Sequence, residues 1–178
     1  MSPLQRRSFL AAAGLGAGAL GIYAALKSGP ARQAAALSAE AQAFWAQRFP
    51  GLDGAELDPA RWRGKPLLVN FWATWCPPCV KELPEINQFY NEARVQGWQV
   101  LGLAVDKLEP VQAFLQKTPL DFAVALAGPA GLGLVRQLGN AAGGLPFSLA
   151  FDANGEIHWR RLGVSRLEEL RELAKTAA

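Results

Sequence analysis

Leu67-Leu68-Val69-Asn70-Phe71-Trp72-Ala73-Thr74-Trp75-Cys76-Pro77-Pro78-Cys79 is the most informative stretch of this chain. Its first six residues are almost wholly apolar and end in two aromatics, the composition of a strand covered on both faces. A short turn follows, and a helix is expected from Cys76 to about Gln96, where Gly97 stops it. Two residues between two cysteines, at the first turn of a helix, bring the sulfurs close enough to join or part with little backbone motion. Helix N-termini carry unpaired N–H groups and the positive end of the dipole, and both stabilise an anion. The favoured anion is the Cys76 thiolate. A thiol with a pKa of about 8.5 is only ~3% ionised at neutral pH, and one lowered to about 7 is roughly half ionised. That gain in attacking species is partly offset by a weaker intrinsic nucleophile. Pro77 and Pro78 lack N–H groups where a helix start does not need them, and they fix the turn.

Outward from this stretch the pattern alternates. Strands are expected over residues 98–105, 121–126, 147–151 and 157–162, and helices over 110–117 and 132–138. Asp152-Ala153-Asn154-Gly155 joins the last two strands, and Asn-Gly is a strong hairpin signal. Ser165 is placed to cap a final helix bearing Leu167, Leu170 and Leu173 at helical spacing. Upstream, Ser38 opens a short amphipathic helix with Phe44 and Trp45 on its apolar side. Residues 49–65, punctuated by Pro and Gly, read as an irregular or hairpin segment. The fold class is α/β: a central mixed sheet flanked by helices on both faces.

The N-terminus has a different character. Arg6 and Arg7 precede an uncharged, Ala- and Gly-rich stretch that runs to Leu26, and Ala34 to Ala36 offer a cleavage site. Residues 1–36 are therefore expected to be an export signal or an N-terminal membrane anchor. Arg6-Arg7-Ser8-Phe9-Leu10 resembles a twin-arginine signal, from which Gln5 and Ala11 depart; a Sec signal or anchor fits equally. The formal charge of +3 comes from this segment, which holds four basic residues and no acidic one. The remainder carries 14 basic and 15 acidic residues and no basic run, which argues against nucleic-acid binding. Cys76 and Cys79 are the only cysteines and His158 is the only histidine. A disulfide scaffold needs more distant pairs, and a zinc site needs four ligands. The pair reads as reactive.

The motif, followed by Lys81-Glu82-Leu83-Pro84, Gly144-Leu145-Pro146 and the Asn154-Gly155 hairpin, resembles the thioredoxin superfamily. Within it, the chain is similar to the TlpA/ResA/CcmG-like membrane-anchored or periplasmic thiol–disulfide oxidoreductases. The resemblance implies a thioredoxin-like domain over residues 37–178, with no cofactor beyond a redox-active Cys76–Cys79 disulfide and no metal site. It implies that Cys76 is the exposed nucleophile and Cys79 the buried resolving thiol. It implies that Pro84 kinks the long helix and that Pro146 is a cis-proline opposite the disulfide, with Leu145 presenting backbone to a substrate strand. Trp75, Pro77 and Pro78 complete the expected substrate-binding set. Asn70 stands where thioredoxin itself has a buried aspartate, and an amide does not shuttle protons. Glu82, three residues after Cys79 and on the same helix face, is the expected acceptor of the Cys79 proton, its pKa raised by partial burial.

The expected function is disulfide reduction in the periplasm or at the outer face of the inner membrane. Pro77 and Pro78 supply no cation to stabilise the reduced form, as a strong oxidant requires. The resemblance implies protein substrates such as apocytochrome c or the copper-site protein of an oxidase, and a membrane electron donor of the DsbD/CcdA type. Two rivals stand beside it. A peroxiredoxin-like peroxidase places Thr three residues before its cysteine, whereas Thr74 is two before Cys76. A Cu(I) carrier or assembly scaffold could use two thiolates, but Met1 and His158 are poor supplements.

Overall fold

The computed structural model describes residues 36–176. The segment expected to direct export falls outside them, except for Ala36. Among the described residues no helix is long and apolar enough to cross a membrane.

The sheet is built on β3 (Leu67–Trp72), every residue of which is buried. The strand order is β5-β4-β3-β6-β7. β4 (Gln99–Ala104) and β5 (Ala123–Leu126) run parallel to β3, and β6 (Phe147–Phe151) and β7 (Ile157–Leu162) complete it in antiparallel fashion. β1 (Phe49–Pro50) and β2 (Glu56–Leu57) form a small separate ladder, the hairpin option of the irregular segment.

Side-chain alternation divides the core in two. Leu67, Val69 and Phe71 face α1 (Ala39–Trp45) and α4 (Gly131–Gln137), together with Leu101, Leu103, Leu149 and Phe151. Leu68 and Trp72 face α2 (Pro77–Ala93), α3 (Leu108–Lys117) and α5 (Leu167–Thr176). Helices cover both faces, which is why the strand can be continuously apolar. Phe44 stacks on Phe151 at 4.6 Å, and Trp45 donates to the carbonyl of Gly155 in the hairpin turn at 2.7 Å. These contacts seat α1 on the end of β6.

Several boundaries differ from expectation for local reasons. The long helix ends at Ala93; Arg94–Gln96 tightens into a 3-10 turn, and Gly97 takes the left-handed conformation. α3 begins at Leu108, so Pro110 falls inside its first turn, where a missing N–H costs nothing. Ser165 does not cap α5 with its hydroxyl, which points to Ser148 instead. The helix start is served by carboxylates of α2: Glu85 accepts from Leu167 N–H at 2.7 Å.

Gly102 lies in β4 on the α2 side. A methyl group there would sit 3.0 Å from Phe122 and 3.2 Å from the Trp72 indole nitrogen. Gly102→Ala is expected to lower unfolding stability by about 1–3 kcal/mol through overpacking. Urea denaturation should show a lower midpoint with an unchanged slope.

Candidate active site

The β3 chain leaves the sheet at Trp72, whose carbonyl accepts from Val105 N–H at 2.8 Å. The turn closes when Cys76 N–H donates to the carbonyl of Ala73 at 3.2 Å. Cys76 is the N-cap of α2, with extended backbone. Pro77 and Pro78 occupy the first two helical positions and have no N–H, so Cys79 carries the first N–H the helix offers. That group donates to Cys76 Sγ at 3.3 Å. The sulfur thus occupies the position a serine or aspartate oxygen takes in an ordinary cap, where negative charge is favoured. Cys76 and Cys79 are joined in a disulfide, with Cα atoms 5.3 Å apart. Cys79 is fully buried, and Cys76, expected to be exposed, is itself buried with 5% exposure because the turn and the helix start close over it; what access the bond has is from the Cys76 side.

The facing wall comes from β6. Phe71 pairs with Phe147, which sets Pro146 across from the end of β3 at the mouth of the Cys76 turn. The Leu145–Pro146 peptide is cis. Leu145 packs against the cluster that contains both cysteines. The preceding turn is held by Asn140, which is buried: its Nδ2 donates to Gly144 O at 2.8 Å, and its Oδ1 accepts from Gly143 N–H at 3.2 Å. On the far side, Gly163 N–H donates to Pro146 O at 2.9 Å. The end of β7 leaves Leu162 58% exposed, and a methyl on Gly144 would lie 3.6 Å from it. Trp75 is 61% exposed, and Pro77 and Pro78 are also exposed. Trp72, by contrast, is wholly buried and belongs to the core.

Beneath the disulfide helix lies a polar cluster inside an apolar wall. Glu82 is fully buried rather than partly so. Its Oε1 accepts from Asn70 Nδ2 at 2.7 Å and its Oε2 from Ser165 N–H at 2.6 Å. Asn70 also donates to Ser148 Oγ at 3.0 Å, and the Ser148 and Ser165 hydroxyls lie 3.2 Å apart. Burial raises the Glu82 pKa to about 7, against the lowering effect of the two hydrogen bonds, with Glu85 adding a smaller upward push. Among the described residues, Asn70 Oδ1 has no hydrogen-bond partner. Asn70 and Ser148 share this face because they are paired across β3 and β6.

A family model described as Redoxin matches residues 35–176. This chain belongs to the Redoxin family. The oxidoreductase is similar to "Thiol-disulfide oxidoreductase ResA" of Bacillus cereus, 31% identical over 67% of each chain. It is likewise similar to ResA of Geobacillus kaustophilus, 34% identical over 67% of each. A solved thioredoxin family thiol:disulfide interchange protein from Chlorobium tepidum is 29% identical with a TM-score of 0.64. That alignment covers 74% of this chain and 92% of that one. The oxidoreductase is thus a TlpA/ResA/CcmG-like member of the thioredoxin superfamily, and its redox group is the Cys76–Cys79 disulfide.

Sequence reasoning overlooked four residues that shape the oxidoreductase site. Asn140 holds the turn before Pro146, and Ser148 and Ser165 complete the surroundings of Glu82. Asp106, just beyond β4, accepts from both the backbone and the side chain of Thr74. Only Ser148 had a local signal: a serine at a buried, alternating position inside an otherwise apolar strand. Ser165 and Asp106 act across 83 and 32 residues, whereas Asn140 bonds Gly143 and Gly144 within its own turn. His158 is exposed on β7 and takes no part.

Proposed function

We propose that this oxidoreductase is a disulfide reductase working outside the cytoplasm, on apocytochrome c or oxidase copper-site thiols. The observation that carries the reading is the pairing of a cysteine disulfide, whose outer sulfur caps a helix, with a buried carboxylic acid one turn past Cys79. In this reading residues 1–36 export or anchor a thioredoxin-like domain of residues 37–178, at the periplasm or the outer face of the inner membrane.

In the reduced protein, the Cys76 thiolate attacks one sulfur of a substrate disulfide. The substrate S–S bond breaks, a mixed disulfide forms, and the second substrate sulfur leaves as a thiolate and takes up a proton. Cys79 then loses its proton to Glu82, directly or through a water, and attacks Cys76 Sγ. The mixed disulfide breaks, the first substrate sulfur departs, and the Cys76–Cys79 bond closes. Two electrons have passed to the substrate. A carboxyl poised near neutrality suits this exchange because it takes and returns a proton at little cost. Trp75, Pro77, Pro78, Leu145 and Pro146 form the surface on which the substrate strand lies, with Leu145 supplying backbone groups. A membrane donor of the DsbD/CcdA type restores the dithiol. The chain between the cysteines offers no cation to the Cys76 sulfur, only the N–H of Cys79, which supports reduction over oxidation.

The test is to express the full chain carrying Cys79→Ser in its native host and to identify the proteins disulfide-linked to Cys76 in each cell fraction. Adducts with exported apocytochromes are the expected result. Copper-site subunits in their place would select the other substrate class, and adducts confined to cytoplasmic proteins would overturn the extracytoplasmic reading.

A further inference from the structure

Asp106 follows the end of β4, and the pairing of Trp72 with Ala104 brings it beside the turn that leads to Cys76. Its Oδ2 accepts two hydrogen bonds from one residue, Thr74 N–H at 3.0 Å and Thr74 Oγ1 at 2.6 Å. Its Oδ1 accepts from Lys107 N–H at 2.8 Å, at the N-cap of α3, which has no side-chain cap of its own. One carboxylate therefore ties the turn carrying Trp75 and Cys76 to the β4–α3 junction. Hydrogen bonds to an ionised acceptor are the stronger kind, and holding one residue by both N–H and hydroxyl removes its freedom to rotate.

Trp75, the next residue, is 61% exposed. Its indole makes no hydrogen bond among the described residues, so no such bond fixes it, and the direction in which its Cα–Cβ bond leaves the chain is set by the backbone on either side. On the Cys76 side the turn is fixed by the bond to Ala73 O and by the helix start. On the other side it is fixed by Asp106.

We infer that Asp106, acting through Thr74, is a positioning residue that holds Trp75 in the direction a protein substrate meets, and so sets the preference for protein over small-molecule disulfides and thiols. This rests on the reading of Trp75 as part of the substrate surface. A small dithiol reaches the disulfide without using Trp75, whereas a polypeptide must lie against it.

The experiment compares two rates in wild type, Asp106→Ala, Trp75→Ala and the double variant. The first is single-turnover reduction of insulin by the pre-reduced protein, and the second is reduction of the oxidised protein by dithiothreitol. Asp106→Ala is expected to slow the insulin reaction about 10- to 100-fold, the scale of a misplacement near 1 Å. The dithiothreitol rate should stay within about twofold. In the Trp75→Ala background, the same change should add little, because coupled residues are not additive. Thr74→Ser, which keeps the hydroxyl, should behave as wild type. Asp106→Asn keeps the shape and guards against a folding defect; it should fall between wild type and Asp106→Ala. Equal losses in both rates would make Asp106 merely structural and overturn the inference. A normal insulin rate in Asp106→Ala with an impaired Trp75→Ala would overturn it alone. A normal rate in Trp75→Ala would overturn both it and the substrate-surface reading.

Discussion

Replacing Cys76 with Ser is expected to abolish disulfide exchange, leaving only the rate of the buffer thiol, whereas Cys79→Ser permits one attack and then stalls. The asymmetry follows from the position of the two sulfurs. Cys76 is the one a partner can reach, and it caps α2; Cys79 lies wholly beneath it. A serine hydroxyl in the same place accepts the same N–H but stays protonated at any working pH, so the attacking anion is lost. With Cys79 absent, Cys76 still forms its bond with the substrate, but no second sulfur arrives to release it. Gel shifts under non-reducing conditions should show a persistent covalent adduct with insulin for Cys79→Ser and none for Cys76→Ser. Alkylation of Cys76 in that same Cys79→Ser protein, followed against pH, should give a midpoint below the ordinary thiol value of about 8.5. A midpoint at or above 8.5 would mean that the helix tip does not stabilise the thiolate, and the chemistry would need another source of activation.

Glu82→Gln is expected to remove most of the fall in folding stability between about pH 4.5 and pH 7. In the folded protein Glu82 keeps its proton up to about 7; in the unfolded chain it releases it near 4.5. Between those values the folded state holds more protons, so stability declines as pH rises, and the decline ends above pH 7. The span corresponds to about 3 kcal/mol. Glutamine is neutral throughout and carries no such slope. It retains one oxygen for Ser165 N–H, and its amide can donate to the unpartnered Asn70 Oδ1 after rotation of that side chain. Urea unfolding of the oxidised proteins should therefore give similar stabilities at pH 5 and a variant more stable by up to about 3 kcal/mol at pH 8. Protonation of His158, whose pKa is lowered by partial desolvation of the ring at the surface, contributes equally to both proteins and drops out of the difference. Release of substrate by Cys79 should be slowed in the same variant, with its pH dependence near 7 lost. Parallel stability curves would show that Glu82 is charged in the folded protein.

Much of the architecture follows from short-range pattern. A continuous apolar run gives β3 because both faces are covered, and Cys76-Pro77-Pro78-Cys79 starts a helix because its prolines need no hydrogen bonds there. Asn154-Gly155 turns the last hairpin, where Gly155 adopts positive φ. Each of these depends on neighbours within a few residues, so the chain states them directly. The cysteine pair at the helix tip belongs to the same class, and with it the redox chemistry.

The surroundings of that pair are written differently. Glu82 on its own is a charged residue one turn past Cys79, and a solvated glutamate would read the same. It is buried because Asn70 approaches from 12 residues away and Ser165 from 83, while Ser148 meets Asn70 across a separation of 78. Asp106 reaches Thr74 across 32 residues. Ser165 carries the local signature of a helix cap, but the helix start instead finds carboxylates on α2 that no local window contains. Local sequence sets backbone conformation through sterics and nearby hydrogen bonds. Which polar groups are shut away from water, and hence the proton affinity of Glu82, is set when β3, β6, α2 and α5 close on one another.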